Sequence, residues 1–432
     1  MIKAGIDYIH HKYFFILKVQ IFFILKKKKI INDPLYGLID IPDGLVFELI
    51  EHPYFQRLRR IKQLGLTDYV YPGAFHTRFQ HALGAMHLMR KCLSSLKAKG
   101  VLISDDEMEG AMVAILLHDI GHGPFSHALE FSLMKNISHE HVSISFMNQL
   151  NDEFGGRLDL AIKMFKGRYE REFFHQLISS QLDVDRIDYL NRDSFYSGVM
   201  EGRVGADRII KLLNVVDDQL VLEEKGIYSV ENFLIARRHM YWQVYLHKAS
   251  VCAEAMLVSM INRARCLLTS GKDIPGSTSL KYFLSNEVDK NSFNNRKGLM
   301  HFNEIDDCDI TYVMKLWSKS EDVVLKVLST GLLDRSLFKV EIMNEPVSKM
   351  ELTNYRCLID QYYDIELSES DFFLLKGELS NKTYVVGGQD INVLTKKGEI
   401  KSIIECSELS HILAQSKIVK KYYICWPKMI SL

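Results

Sequence analysis

The chain has 432 residues, enough for two or three domains or for one large core with an appendage. It is 47% hydrophobic and 25% charged with only 8 prolines, a globular composition. Lys+Arg and Asp+Glu both number 54, and the resulting zero net charge argues against a globally basic nucleic-acid binder while leaving room for local phosphate pockets.

Residues 1–28 differ from the rest. Tyr13–Leu17 and Ile21–Leu25 are apolar, but Lys18 and Gln20 interrupt them and Lys26–Lys29 end them. The stretch is too short and broken to span a bilayer, and it lacks a small-residue cleavage site. It reads as a poorly ordered extension, with a basic interfacial helix as the alternative. From Asn32 the chain becomes orderly. Asn32–Gly37 is a turn and Leu38–Ile41 a short strand. Leu45–Leu64 is helical with a break that Pro53 forces near Glu51, and Leu66–Tyr71 is extended. A turn from Pro72 leads into a helix reaching about Lys99. It carries His81 in its first turns and His87 as a packing residue.

Asp105–Leu117 is the next helix, opened by the capping box of Ser104 and Glu107. Its end, Ala111–Leu117, is apolar on every side and belongs in a core. His118 and Asp119 follow at once, and both are costly to bury unpaired. Gly121, Gly123 and Pro124 then break the helix, and His122 and His127 lie within the same turn region. Neutral imidazoles and a hard carboxylate suit Fe, Mn, Zn or Mg. The alternative is a core histidine oriented by Asp119 with no metal.

Ser138 caps a helix from His139 to Leu150, and another helix lies near Glu172–Ser180. Leu182–Asp193 then packs four aspartates into one segment: Asp183, Asp185, Asp188 and Asp193. At helical spacing Asp185, Asp188, Tyr189 and Arg192 share one side, and Arg186, Tyr189 and Asp193 another. A solvated helix laced with Asp–Arg pairs is the plain alternative. Val230–Ser270 reads as one long helical region with Arg237, Tyr241, Tyr245 and Lys248 on one face. Further helix covers 280–330. From about Ser336 strands alternate: Phe338–Ile342, Thr383–Val386, and a hairpin of Ile391–Thr395 with Ile400–Ile404. The seven cysteines (92, 252, 266, 308, 357, 406, 425) are scattered without a CxxC pair, so they read as free thiols in a reducing cytoplasm.

His81, His118-Asp119 and Asp185 resemble the H…HD…D signature of the HD-domain metal-dependent phosphohydrolases. The strings Glu51–His81, His118–His127 and Asp183–Asp193 resemble, more specifically, the deoxynucleoside-triphosphate (dNTP) triphosphohydrolases of that family. The resemblance covers about residues 29–270. It implies a mainly α fold with an HD-domain helical core, placed at 29–335, while the strand alternation after Ser336 marks a small α+β region at 336–432. It implies a divalent metal held by His81, His118, Asp119 and Asp185, and active-site histidines at His122, His127 and His139. Glu130 stands where the family often has Asp. Arg78, Arg186 and Arg237 would grip the triphosphate; Tyr189 and Asp193 would meet the sugar and its 3′-hydroxyl. Gln63, Leu64 and Tyr245 would form a floor with no room for a 2′-hydroxyl. The implied reaction is water attack at the α-phosphorus, giving deoxynucleoside and inorganic triphosphate.

The resemblance also implies a cytoplasmic homo-oligomer, dimer or tetramer, with a nucleotide effector and no membrane partner; nucleic-acid binding is not indicated. Lys29, Ile30, Gln56 and Arg59 match one guanine-nucleotide pocket, with Glu51 replacing an Asp. Arg208, Lys225 and Lys248 match an adjoining dNTP site, where Glu223 reverses a charge relative to the vertebrate member. Solvated surface charges are the alternative for this set. The competing functions are an HD phosphatase or phosphodiesterase on another nucleotide, and a nucleotide sensor or nucleic-acid-binding protein with little turnover.

Overall fold

The computed structural model describes residues 29–293, 296–381, 390–407 and 419–430, so the expectations for 1–28 and for Thr383–Val386 lie outside the described residues. The architecture is mainly helical with three small sheets. A hairpin of Lys29–Asp33 and Gly37–Ile41 opens the described chain. Asp33 Oδ1 shapes its turn by accepting from the amides of Leu35 and Tyr36 at 2.9 and 3.0 Å.

Three helices form the centre. Asp105–Leu117 begins where Ser104 Oγ accepts from the Glu107 amide at 3.1 Å and Glu107 Oε2 accepts from the Ser104 amide at 2.7 Å. Every residue from Ala111 to Leu117 is buried, as an all-round apolar run requires. Each large side chain so removed from water is worth roughly 1.5–3 kcal/mol. This helix packs on Arg78–Ala98, which also packs against Val184–Ser197. Gly84 permits that second approach. A Cβ there would stand 2.1 Å from Asp188 Oδ1 and 2.2 Å from an Arg192 guanidinium nitrogen. Val184–Ser197 is therefore not a solvated helix: Asp183, Asp188, Arg192 and Asp193 are all nearly inaccessible.

Several expectations are corrected. Leu45–Leu64 is divided into Leu45–Glu51, Pro53–Gln56 and a tight turn at Arg57–Arg60, with Pro53 starting the second piece rather than merely breaking the first. Leu66–Tyr71 is not extended. Gly65 takes a left-handed φ of 52°, and Thr67–Tyr69 coils into a single turn closed by the Val70 and Tyr71 amides on the Thr67 carbonyl. Val230–Ser270 is two helices: Ile227–Met240 runs on through a wide turn at Tyr241–Tyr245, and after a bend of 56° Lys248–Thr269 follows. His247 is extended, and its Nδ1 caps the new helix by accepting from the Ala249 amide at 3.2 Å. The aromatic face therefore does not run on to Lys248. Wide turns of this kind recur at functional sites because they re-aim side chains.

Toward the C-terminus, Lys339–Met343 and Leu375–Asn381 pair antiparallel with either edge of Val419–Trp426. The expected hairpin is present as Asn392–Leu394 with Ile400–Ser402. Its first strand lies parallel to Gln219–Glu223 of the helical core, with Leu222 opposite Val393. That core strand forms its own hairpin with Leu213–Val216 through Asp217 and Asp218, both left-handed. The cysteines are free thiols. Among the described residues no single helix is long and apolar enough to cross a membrane.

Candidate metal centre and surrounding cavity

His81 comes from the Arg78–Ala98 helix, His118 and Asp119 from the end of Asp105–Leu117, and Asp185 from the first turn of Val184–Ser197. The three helices bring these groups together. His81 Nε2 lies 3.1 Å from Asp185 Oδ1, 3.4 Å from His118 Nε2 and 3.7 Å from Asp119 Oδ2. His118 Nε2 lies 3.3 Å from Asp185 Oδ1 and 3.4 Å from Asp119 Oδ1. Ligand atoms of His81, His118 and Asp185 all fall within 4.8 Å of one another.

The outer partners define the chemistry. His81 Nδ1 is 2.8 Å from Asp188 Oδ2, and His118 Nδ1 is 2.6 Å from the Ile115 carbonyl. These acceptors place the ring proton on Nδ1 and leave both Nε2 lone pairs aimed at the Asp185 and Asp119 oxygens. Acceptors facing acceptors require a positive charge between them, a cation or else a proton on Nε2. Burial opposes an imidazolium at His81, yet hydrogen bonds to Asp185 and Asp188 outweigh it and hold its pKa up at about 10. Burial likewise opposes the Asp185 anion, and His118 and His81 overcome it, keeping the carboxyl well below the usual range. The donor set of two imidazole nitrogens and two carboxylates fits a divalent cation of the Mg, Mn, Fe or Zn kind.

Asp119 Oδ2 pairs with Arg78, whose Nε donates to Ser126 Oγ at 2.9 Å. Ser126 and Phe125 are both left-handed, at φ 49° and 53°, a strained turn for non-glycine residues. Asp307, which composition and spacing did not single out, holds that turn. Its carboxylate accepts from the Phe125 amide at 2.7 Å and the Lys62 amide at 2.9 Å. Asp307→Asn puts an amide N–H against one of those two backbone donors. We expect a loss of about 1–3 kcal/mol in denaturant unfolding, with metal content per chain unchanged by elemental analysis because no metal donor is touched.

A second cluster adjoins the first. His122 stacks on His139 with ring centroids 4.0 Å apart, and His127 meets both edge-on at 4.8 and 5.3 Å. Glu130 joins two of them: Oε1 is 2.7 Å from His139 Nδ1 and Oε2 is 3.1 Å from His127 Nδ1. Burial resists the Glu130 anion, but those hydrogen bonds hold it far below its ordinary pKa. The side chain of Glu thus reaches both rings despite its extra methylene. His122 is neutral, because burial and then Arg78 depress its pKa well below the usual value. Gly121 makes the stack geometrically accessible: a Cβ there would meet the His139 carbonyl oxygen at 2.2 Å and the Ser143 amide nitrogen at 2.3 Å.

Both clusters open on one cavity of about 450 Å³. Asp119, Asp185, Arg78, His122, His127 and His139 line one part; Gln63, Leu64, Tyr189, Asp193 and Tyr245 line another. Asp193 is held from two sides, by the Tyr245 hydroxyl and by His76 Nε2, each at 2.7 Å. Arg186 and Arg237 do not line the cavity wall, yet Arg186 Nε and the Nε and one terminal nitrogen of Arg237 are buried without an acceptor. Unpaired buried guanidinium donors call for an anion.

Glu254 also faces the cavity, and burial alone pushes its carboxyl from 4.5 up to about 7. The folded chain therefore keeps this proton longer than the unfolded one. The stability it contributes below about pH 4.5 is lost as pH rises through about 7. Glu254→Gln, which cannot ionise, should show a flatter fall in melting temperature between pH 5 and pH 8 than the parent, read by differential scanning calorimetry.

The residues expected at an effector site lie elsewhere, in two groups. Lys29 and Glu51 are 3.9 Å apart, Ile30 is exposed, and Arg59 Nε donates to Gln56 Oε1 at 2.7 Å. Arg208 donates to Ser229 Oγ at 3.1 Å and to the Lys225 carbonyl at 3.3 Å, while Lys248 begins the helix after the bend. Glu223 is paired with Lys99 at 2.6 Å.

The HD domain family matches residues 78–193, and the HD associated region matches 204–271. An uncharacterised protein of Bacillus subtilis, YwfO, is 33% identical over 396 residues, with 88% of each chain covered. The deoxynucleoside triphosphate triphosphohydrolase SAMHD1 homolog of Dictyostelium discoideum is 33% identical over 258 residues, 55% of this chain and 50% of that protein. Human SAMHD1 is 29% identical over 305 residues, so this chain covers 48% of it. A solved phosphohydrolase from Bacteroides thetaiotaomicron has a TM-score of 0.90 at 49% identity, covering 93% of this chain and 100% of its own.

Proposed function

This chain belongs to the HD-domain phosphohydrolases and resembles the dNTP triphosphohydrolases among them, and from that premise we propose that it hydrolyses dNTPs to deoxynucleoside and inorganic triphosphate. One observation carries the reading. Asp119 and Asp185, the carboxylates of the donor set, line the same cavity as Leu64 and Tyr245, and its size suits a nucleotide.

His81, His118, Asp119 and Asp185 would hold the divalent cation. When bound it lowers the pKa of a water and neutralises charge on the phosphorus centre. Arg78, already fixed between Asp119 and Ser126, gives a guanidinium to the phosphate end. Arg237 and Arg186, the latter already paired with Asp183, stand behind the cavity lining and would add donors where the triphosphate extends past that lining. His127 is the group best placed to protonate the leaving 5′-oxygen. It is the exposed member of the cluster, so solvent can recharge it, and Glu130 orients its Nδ1. Tyr189 and Asp193 would meet the sugar, and Leu64 and Tyr245, which line the same cavity, would leave no room for a 2′-hydroxyl. Stranding such a hydroxyl without a partner costs about 1–3 kcal/mol.

The test is incubation of the purified chain with each of the four dNTPs and Mg or Mn, with and without GTP. Inorganic tripolyphosphate is the expected product. Orthophosphate, or an opened cyclic nucleotide, would mark a phosphatase or phosphodiesterase instead, and stoichiometric binding without product would mark a sensor. The GTP arm reads whether the Lys29–Arg59 and Arg208–Lys248 groups serve an activator. As a sugar test, Tyr245→Ala should narrow the preference for dNTP over rNTP by roughly 5–150-fold, the worth of about 1–3 kcal/mol.

A further inference from the structure

Resting on the dNTP reading above, we infer that Glu254 reads the edge of the nucleobase and biases the cavity toward guanine. The argument begins with the direction of the ligand. Its phosphates belong with Asp119, Asp185 and Arg78, and its sugar with Leu64, Tyr245 and Asp193, all on one cavity wall or another. After Tyr245 the chain bends and re-enters as the Lys248–Thr269 helix, which returns Glu254 to that same cavity. Glu254 lies beside the residue after Leu64: a Cβ on Gly65 would stand 3.9 Å from Glu254 Oε1. The carboxyl group thus borders the far side of the sugar floor, where a base would project.

Glu254 has no assigned work inside the protein. Among the described residues nothing donates a hydrogen bond or forms an ion pair to its carboxylate, and burial alone shifts its ionisation. Above about pH 7, where its carboxyl is ionised, Glu254 accepts hydrogen bonds and donates none. Facing a cavity without an internal donor, it favours a ligand that brings N–H groups. Guanine presents two adjacent N–H donors, at N1 and the exocyclic amine, and a carboxylate can accept both. Adenine and cytosine offer one amino donor beside an acceptor. Thymine offers one N–H between two carbonyls, which a carboxylate repels.

The test compares kcat/KM for dGTP, dATP, dCTP and dTTP at pH 8.5, where Glu254 is ionised, in the parent chain and in Glu254→Gln, with Mn present. A Gln side chain offers one donor and one acceptor, which suits adenine or cytosine. The parent should prefer dGTP, and the variant's dGTP-to-dATP ratio should fall at least about tenfold, the scale of one bidentate base contact. Equal loss on all four nucleotides, or no change in the ratio, overturns the inference. Deoxyinosine triphosphate, which lacks the exocyclic amine, gives a second arm on the unaltered chain. It should bind more weakly than dGTP by calorimetry; equal affinity overturns the inference without relying on any variant. Should none of the dNTPs be hydrolysed, the dNTPase reading fails. The calorimetric arm still decides the base contact.

Discussion

Asp185→Ala is expected to lose its bound cation and on the order of 10³ in rate together. The reason is geometric. Asp185 Oδ1 is the one oxygen that both His81 Nε2 and His118 Nε2 face, at 3.1 and 3.3 Å. Without it the two imidazoles face each other at 3.4 Å with only Asp119 to complete the set. Asp119 is already shared with Arg78 and with His122 Nε2, the latter at 3.4 Å, so it cannot take over the missing role. Elemental analysis after dialysis reads the metal, and product release reads the rate. A variant that keeps full metal content would show that Asp185 is not a ligand.

The second large effect is on stability. Asp188→Ala should cost about 3–5 kcal/mol, the usual result of stripping one partner from a buried ion pair. Asp188 accepts from Arg192 at 2.9 and 3.1 Å, and both side chains are fully buried. Asp33 would be left as the sole anion on that guanidinium, at 2.7 Å. The same substitution frees His81 Nδ1, so metal affinity should also weaken by roughly 10–100-fold, as for other partners of a ligating histidine. Denaturant unfolding and metal titration measure the two separately. Asp185→Ala is the control: it also loses the cation but leaves Arg192 paired, so in metal-free buffer it should cost less stability than Asp188→Ala. Parent-like stability and metal affinity in Asp188→Ala would refute the shared-carboxylate arrangement.

Asp183, Asp185, Asp188 and Asp193 show how far the sequence could go. Their clustering marked the segment, and helical spacing sorted them onto sides. Spacing could not say which side met what. In the fold Asp183 caps the helix by accepting from the Arg186 amide at 2.7 Å. Asp185 faces the histidines, Asp188 backs His81 and Arg192, and Asp193 is held by Tyr245 and His76. The crossing of this helix over Arg78–Ala98, set by the close approach at Gly84, makes those assignments.

What the sequence determined by itself was local or motif-borne. Capping boxes, the all-apolar run before His118 and the H…HD…D string depend on neighbours along the chain, so they are legible from it. What only the tertiary structure decided depends on partners far away in the chain. Asp307 grips the Phe125 turn, the wide turn at Tyr241–Tyr245 aims Tyr245 at Asp193, and a C-terminal strand joins the sheet at Leu222. A hydrogen bond between residues 182 positions apart leaves no periodicity to read; it exists because burial leaves a carboxylate no other donor to find.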